Sequence, residues 1–118
     1  MQYAILAVEA DADYEARTDP ALADSYWASW ASYVAALGQS GVMTAAAGLQ
    51  PPQTATTLRT RGGATSVQDG PFADAKEHLG GIFLIDVPDL DAAMEWAARC
   101  PAAVNGSVEV RPILPPMG

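Results

Sequence analysis

The residues best equipped for chemistry in this chain lie in one short run, Asp69-Gly70-Pro71-Phe72-Ala73-Asp74-Ala75-Lys76-Glu77-His78-Leu79-Gly80-Gly81. It contains the chain's one histidine, its one lysine and three carboxylates. Asp69 at a cavity mouth would offer a carboxylate base, and His78 a base through its near-neutral pKa. Phe72 and Lys76 are candidates to hold a substrate. The same residues also make a sound connection. An Asp side chain bonds the backbone two residues on, Gly takes unusual dihedrals, and Pro stiffens the exit. In that reading Phe72 plugs the core and Lys76 pairs with a nearby acid. Lys76, Glu77 and His78 are sequence neighbours, which do not face one another on a helix, so they form no catalytic triad.

A second group lies downstream. Glu109 and Arg111 stand two apart in Val108-Glu109-Val110-Arg111 and point the same way on a strand. If the valines face helices, Glu109 and Arg111 face the other side of the sheet, where Glu109 is a second candidate base. Arg59 and Arg61 share a face in the same manner. Arg59, Arg61, Lys76 and Arg111, four of the six cations, would then line a space suited to a small anionic or aromatic acid. Cross-strand salt bridges are the structural alternative. The sequence has no GxGxxG, Walker, HExxH or GxSxG motif, and one histidine supplies no multi-histidine metal site. Cys100 stands alone, with no disulfide or metal partner nearby in sequence. No cofactor and no metal are expected.

The elements that must position these groups follow from the patterning. Residues 1–8 and 81–87 are almost continuously apolar and are expected as central strands, covered on both faces. Residues 108–111 alternate and are expected at an edge. Residues 42–47 form a further short strand. Residues 54–61 and 64–68 flank Gly62-Gly63, a strong hairpin signal. One helix is expected from Asp19 as N-cap and Pro20 at its first position to Gly38 just past its end, burying Leu22, Tyr26, Trp30, Tyr33 and Leu37. In it, Trp27, Trp30 and Tyr33 are expected to serve the core. A second starts near Asp89, presents Leu90, Ala93, Met94 and Ala97, and stops at Pro101.

This order is the βαββαβ plan of an α+β, ferredoxin-like fold with an inserted β-hairpin, as one domain over 1–118. Two helices cover one sheet face, yet Ile82, Phe83, Leu84 and Ile85 ask for cover on both. A homodimer is therefore expected. At 118 residues, 50% hydrophobic, with a net charge of -8, the chain repels nucleic acid and anionic lipid. With no membrane-length apolar run and no signal-like start, a cytoplasmic place is expected.

Several motifs in order carry a resemblance. Gly48-Leu49-Gln50-Pro51, Asp69-Gly70-Pro71-Phe72, Lys76-Glu77, Leu79-Gly80-Gly81, Glu95-Trp96-Ala97-Ala98-Arg99-Cys100-Pro101 and Glu109-Val110-Arg111-Pro112 together resemble the DGPF branch of the YCII-related family. The resemblance implies a dimeric α+β barrel of small cofactor-independent proteins that include a dehydrochlorinase, and so a lyase or isomerase activity with a carboxylate base. A His-Asp pair is proposed as the site in the other branch; this chain has no histidine before His78 to match it. His78 stands where the DGPF pattern usually has Gln, and Asp74 where it usually has Glu. The resemblance also implies a sigma-factor partner and a non-enzymatic regulatory role as the alternative, because DGPF proteins are commonly encoded beside extracytoplasmic-function sigma factors.

Overall fold

The computed structural model describes residues 1–71 and 75–117. Phe72 and Asp74 lie outside the described residues. Strand β1 (Gln2–Ala10) leads through a short helix α1 (Asp11–Ala16) to α2 (Ala23–Ser40), then β2 (Met43–Gly48), the hairpin β3 (Thr56–Arg61) and β4 (Ala64–Asp69), β5 (Glu77–Asp86), α3 (Leu90–Ala98) and β6 (Ser107–Pro112). Four strands form an antiparallel sheet in the order β2-β5-β1-β6, and β3-β4 form a separate two-stranded sheet. The two apolar strands are therefore central and the alternating β6 is an edge, as their patterns require.

Strand parity divides the sheet into two faces. Tyr3, Ile5, Ala7, Phe83 and Ile85 pack with Tyr33 and Leu37 of α2 and Ala93 of α3, joined by Val108 and Val110. Ala4, Leu6 and Val8 point the other way and pair in register with Leu84, Ile82 and Leu79 of β5. Arg111 and Glu109 stand opposite Ala4 and Leu6 on the β6 side. Leu6, Val8, Ile82 and Leu84 are only half-buried, because the helices cover the first face alone.

The turns and caps explain most element ends. Gly62 and Gly63 have φ of 57° and 80°, the positive values a two-residue hairpin turn demands. Asp89 caps α3 by accepting from the Ala92 amide at 2.9 Å. Two expectations shift along α2. Asp19 accepts from the Ala21 amide at 2.8 Å and its carbonyl from Leu22 and Ala23, so Asp19 and Pro20 form a turn ahead of the helix. The helix then runs through Gly38, and Gly41, at φ 79°, ends it. In α3 the buried side is Ala93 and Ala97, with Leu90 and Met94 half exposed. Trp30 and Tyr33 pack in or against the core, whereas Trp27 is half exposed. Strand β5 begins at Glu77, placing His78 on a strand. The helix α1 had no periodicity to announce it. Its first turn is set by the Asp13 carboxylate, which accepts from the Ala10 amide at 3.0 Å and from Asn105 Nδ2 at 3.1 Å.

Candidate active site

Strand β1 carries the parity Tyr3, Ile5, Ala7, Glu9 on its helix-side face, so its last member brings a carboxylate into the interior. Glu9 is 1% exposed. A charge that deep requires partners, and it has two. Arg17 Nη2 donates to Glu9 Oε2 at 2.7 Å, and the Tyr26 hydroxyl donates to Oε1 at 2.5 Å. Arg17 Nε in turn donates to the Tyr26 oxygen at 3.0 Å, closing a ring of three. Arg17 Nη1 donates to the Leu49 carbonyl at 2.8 Å.

Aromatic rings enclose the guanidinium. Its Cζ lies 4.8 Å from the Tyr14 ring centre, 5.6 Å from Trp27 and 5.8 Å from Tyr26. The Trp27 indole also donates to the Arg17 carbonyl at 3.1 Å. Burial alone would lower the pKa of Arg17, but the hydrogen bonds with Tyr26 and Glu9, together with their charge attraction, outweigh it and the pKa rises. Burial, and after it the Glu9 carboxylate, raise the Tyr26 phenol well above its ordinary range. The same two causes push Tyr14 up to about 12. Both phenols stay neutral donors at physiological pH.

The local sequence makes room for this cluster. A β-bulge between Ala7 and Val8 in the β1–β5 register leaves Gly80 against Glu9. A Cβ there would overlap Glu9 Oε2. The Leu49 amide donates to the Gly80 carbonyl at 2.9 Å, so the segment 48–51 and the glycine pair 80–81 are tied together around Arg17. Two of the sequence motifs thus converge on one ion pair.

Two cavities flank α2. One, of about 650 Å³, is mostly apolar and is walled by Trp27, Trp30, Val34, Leu49, Pro51 and Phe83, with Arg17 and Gly80 also bordering it. The other, of about 730 Å³, is more polar and is bordered by Glu9, Asp13, Ser29, Tyr33 and Arg99. Tyr26 and Trp30 border both. Trp30 stacks on Phe83 with 6.0 Å between ring centres and an interplanar angle of 9°. Its indole nitrogen is buried without a hydrogen-bond partner among the described residues. The arrangement can hold an oxyanion on Arg17, meet a planar ring along an aromatic wall, and pass a proton between Tyr26 and Glu9.

The residues singled out from the sequence stand elsewhere. Asp69 is exposed at the end of β4, opposite Thr56. Glu109 and Arg111 are exposed on β6, on the face turned from the helices. Lys76 is exposed before β5; Arg59 is half-buried and Arg61 exposed on β3. His78 pairs with Glu9 across the ladder, and its carbonyl accepts from the Tyr14 hydroxyl at 2.8 Å. Among the described residues, none of these lines either cavity. Among the described residues, no group of three or more metal-ligating side chains exists and no helix is long and apolar enough to cross a membrane. Glu9 was legible in principle, since a carboxylate falling on the buried parity of an otherwise apolar strand demands an internal partner.

A family model described as the YCII-related domain matches residues 1–116. The chain belongs to the YCII-related family. An uncharacterised protein of Rhizobium meliloti is 44% identical to this YCII-related chain over 77 residues, 64% of the chain and 62% of the relative's length. A solved structure of 5-chloro-2-hydroxyhydroquinone dehydrochlorinase from Burkholderia phenoliruptrix AC1100, in complex with 2,5-dihydroxybenzoquinone, matches 97% of this chain and 94% of that one. Its TM-score is 0.53 at 16% identity, a likeness of fold.

Proposed function

We propose that this YCII-related protein binds a small, planar, oxygenated ring compound, phenolic or quinonoid, in the apolar cavity beside Arg17 and acts on it by proton transfer, as a cofactor-independent lyase or isomerase. The observation that carries this reading is the Glu9–Arg17–Tyr26 ring. A buried ion pair is weak as a stabilising device, and placing one at the wall of an apolar pocket has a use when its remaining donors meet a ligand. The guanidinium has five N–H groups, and three are engaged by Tyr26, Leu49 and Glu9. The other two are suited to an oxyanion. Trp27, Trp30 and Phe83 line the cavity and give it an aromatic wall for a planar substrate.

Tyr26 borders the pocket and bonds Glu9, which gives the proton a route. The Tyr26 oxygen takes a proton from the substrate as the Tyr26 proton passes to Glu9 Oε1. The electron pair left on the substrate then expels a leaving group as its anion, or moves a double bond while the relay runs in reverse and Tyr26 returns the proton to another carbon. Glu9 takes the part of base that the sequence offered to Asp69 and Glu109. The structural neighbour's bound 2,5-dihydroxybenzoquinone is a compound of this class and a ready probe. Titration calorimetry with it is expected to show saturable binding, weakened about tenfold by Trp27→Ala through lost stacking. Equal affinity in both proteins would remove the pocket from the account.

The open sheet face supports a homodimer. The Cα radius of gyration is 16.1 Å, whereas a compact chain of this length is expected near 13.5 Å. Half-buried Leu6, Val8, Ile82 and Leu84 form the surface that a second copy would cover. Glu109 and Arg111 share that face, at the edge of such an interface. Sedimentation of the wild type against Leu84→Asp tests it: a dimer that the aspartate dissociates is expected, and a wild-type monomer at high concentration would contradict it.

A further inference from the structure

The β3–β4 hairpin is built as if to touch something. It forms a sheet of its own, without a neighbouring strand among the described residues. Its root is fastened: the Gly70 amide donates to the Ala55 carbonyl at 2.6 Å, and the Thr57 hydroxyl to the Gly70 carbonyl at 2.9 Å. Beyond the root, Leu58 and Val67 stand directly opposite each other. They are 63% and 64% exposed. A lone two-stranded ribbon is marginal in water, and an exposed cross-strand pair of large apolar residues stabilises it further when something covers the pair.

Charge indicates what covers it. Over residues 56–69 the hairpin has two arginines, Arg59 and Arg61, and one carboxylate, Asp69. The chain as a whole is at -8. Residues 11–24 hold Asp11, Asp13, Glu15, Asp19 and Asp24, with Arg17 the sole cation among them. Arg17 is committed to Glu9 and Asp13 is buried against Ala10 and Asn105, so the exposed Asp11, Glu15, Asp19 and Asp24 present an acidic shoulder. A ribbon with an exposed arginine, Arg61, beside its turn therefore projects from an acidic body. Two copies of such a chain attract arm to body, and closed two-fold symmetry satisfies both arms at once.

We propose that the hairpin is a docking arm for a second copy of this chain, with Leu58 and Val67 seated on the partner and the exposed Arg61 steering the arm to its acidic surface. The proposal rests on the dimer inferred above and adds a contact separate from the open sheet face. Because Leu58 and Val67 lie outside the core, the double variant Leu58→Ser/Val67→Ser is expected to keep the fold, which far-ultraviolet circular dichroism would check. Analytical ultracentrifugation is expected to show its dimer dissociation constant raised at least tenfold, and amide exchange in 56–69 slower in the wild-type dimer than in monomeric Leu84→Asp. An unchanged dissociation constant with unchanged exchange would overturn the arm while leaving the dimer standing. A wild-type monomer would overturn both, and protection of the arm only by a different, acidic protein would overturn the choice of partner.

Discussion

Gly80 and Glu9 occupy adjoining space so closely that a side chain at position 80 would overlap the Glu9 carboxylate oxygen held by Arg17. The far end of a glutamate usually swings aside at little cost, but this one is pinned by Arg17 and Tyr26. Gly80→Ala is therefore expected to break or bend a charge-assisted bond and lower stability by about 1.5–3 kcal/mol. Urea denaturation measures it; a loss near zero would mean that Glu9 is free to move.

The ion pair gives a sharper test. Arg17→Met leaves Glu9 buried without its cation, and a loss of about 3–5 kcal/mol is expected. Adding Glu9→Leu removes the stranded charge, so the double variant is expected to be more stable than Arg17→Met alone. Additive losses would show that the two residues act independently.

The phenols set an alkaline limit. Tyr14, ordinarily near 10, is pushed up to about 12 by burial and by Glu9. The folded chain holds that proton more tightly than the unfolded one, so this contribution to stability is complete below pH 10 and is lost as the pH rises through 12. Tyr14→Phe is expected to flatten the fall in the urea midpoint over that range. Parallel curves for the two proteins would contradict it.

Cys100 reports opening of the core. It is 2% exposed, and burial pushes its thiol up to about 11 from an ordinary 9. Both effects suppress thiolate attack. At pH 8, labelling by a thiol reagent is expected to be at least about a hundredfold slower in the native protein than in urea, from the two-unit shift alone. Comparable rates would place Cys100 at the surface.

The sheet was legible because its signals are local or depend on a simple alternation. Unbroken apolar runs placed β1 and β5 at the centre, Val108-Glu109-Val110-Arg111 marked an edge, and Gly62-Gly63 marked a hairpin. The site was not, because it is assembled from residues far apart in sequence. Tyr26 sits 17 residues from Glu9, and the Leu49 carbonyl 32 from Arg17. The run 69–81 is dense in titratable groups, yet among its described residues the one that makes room for the ion pair is Gly80, through the side chain it lacks. Helix α1 stayed hidden because tertiary bonds to Asp13 and Tyr14, not periodicity, hold it.

The most direct test of the Arg17 pocket is an NMR titration with 2,5-dihydroxybenzoquinone, following the three tryptophan indoles. Trp27 and Trp30 border the pocket, while Trp96 lies on α3 under Arg99. Saturable shifts at the Trp27 and Trp30 indoles and at the Gly80 amide, with Trp96, Asp69 and Glu109 unmoved, are expected. Shifts confined to Asp69 or to Glu109 and Arg111, or none at all, would contradict a site at Glu9, Arg17 and Tyr26.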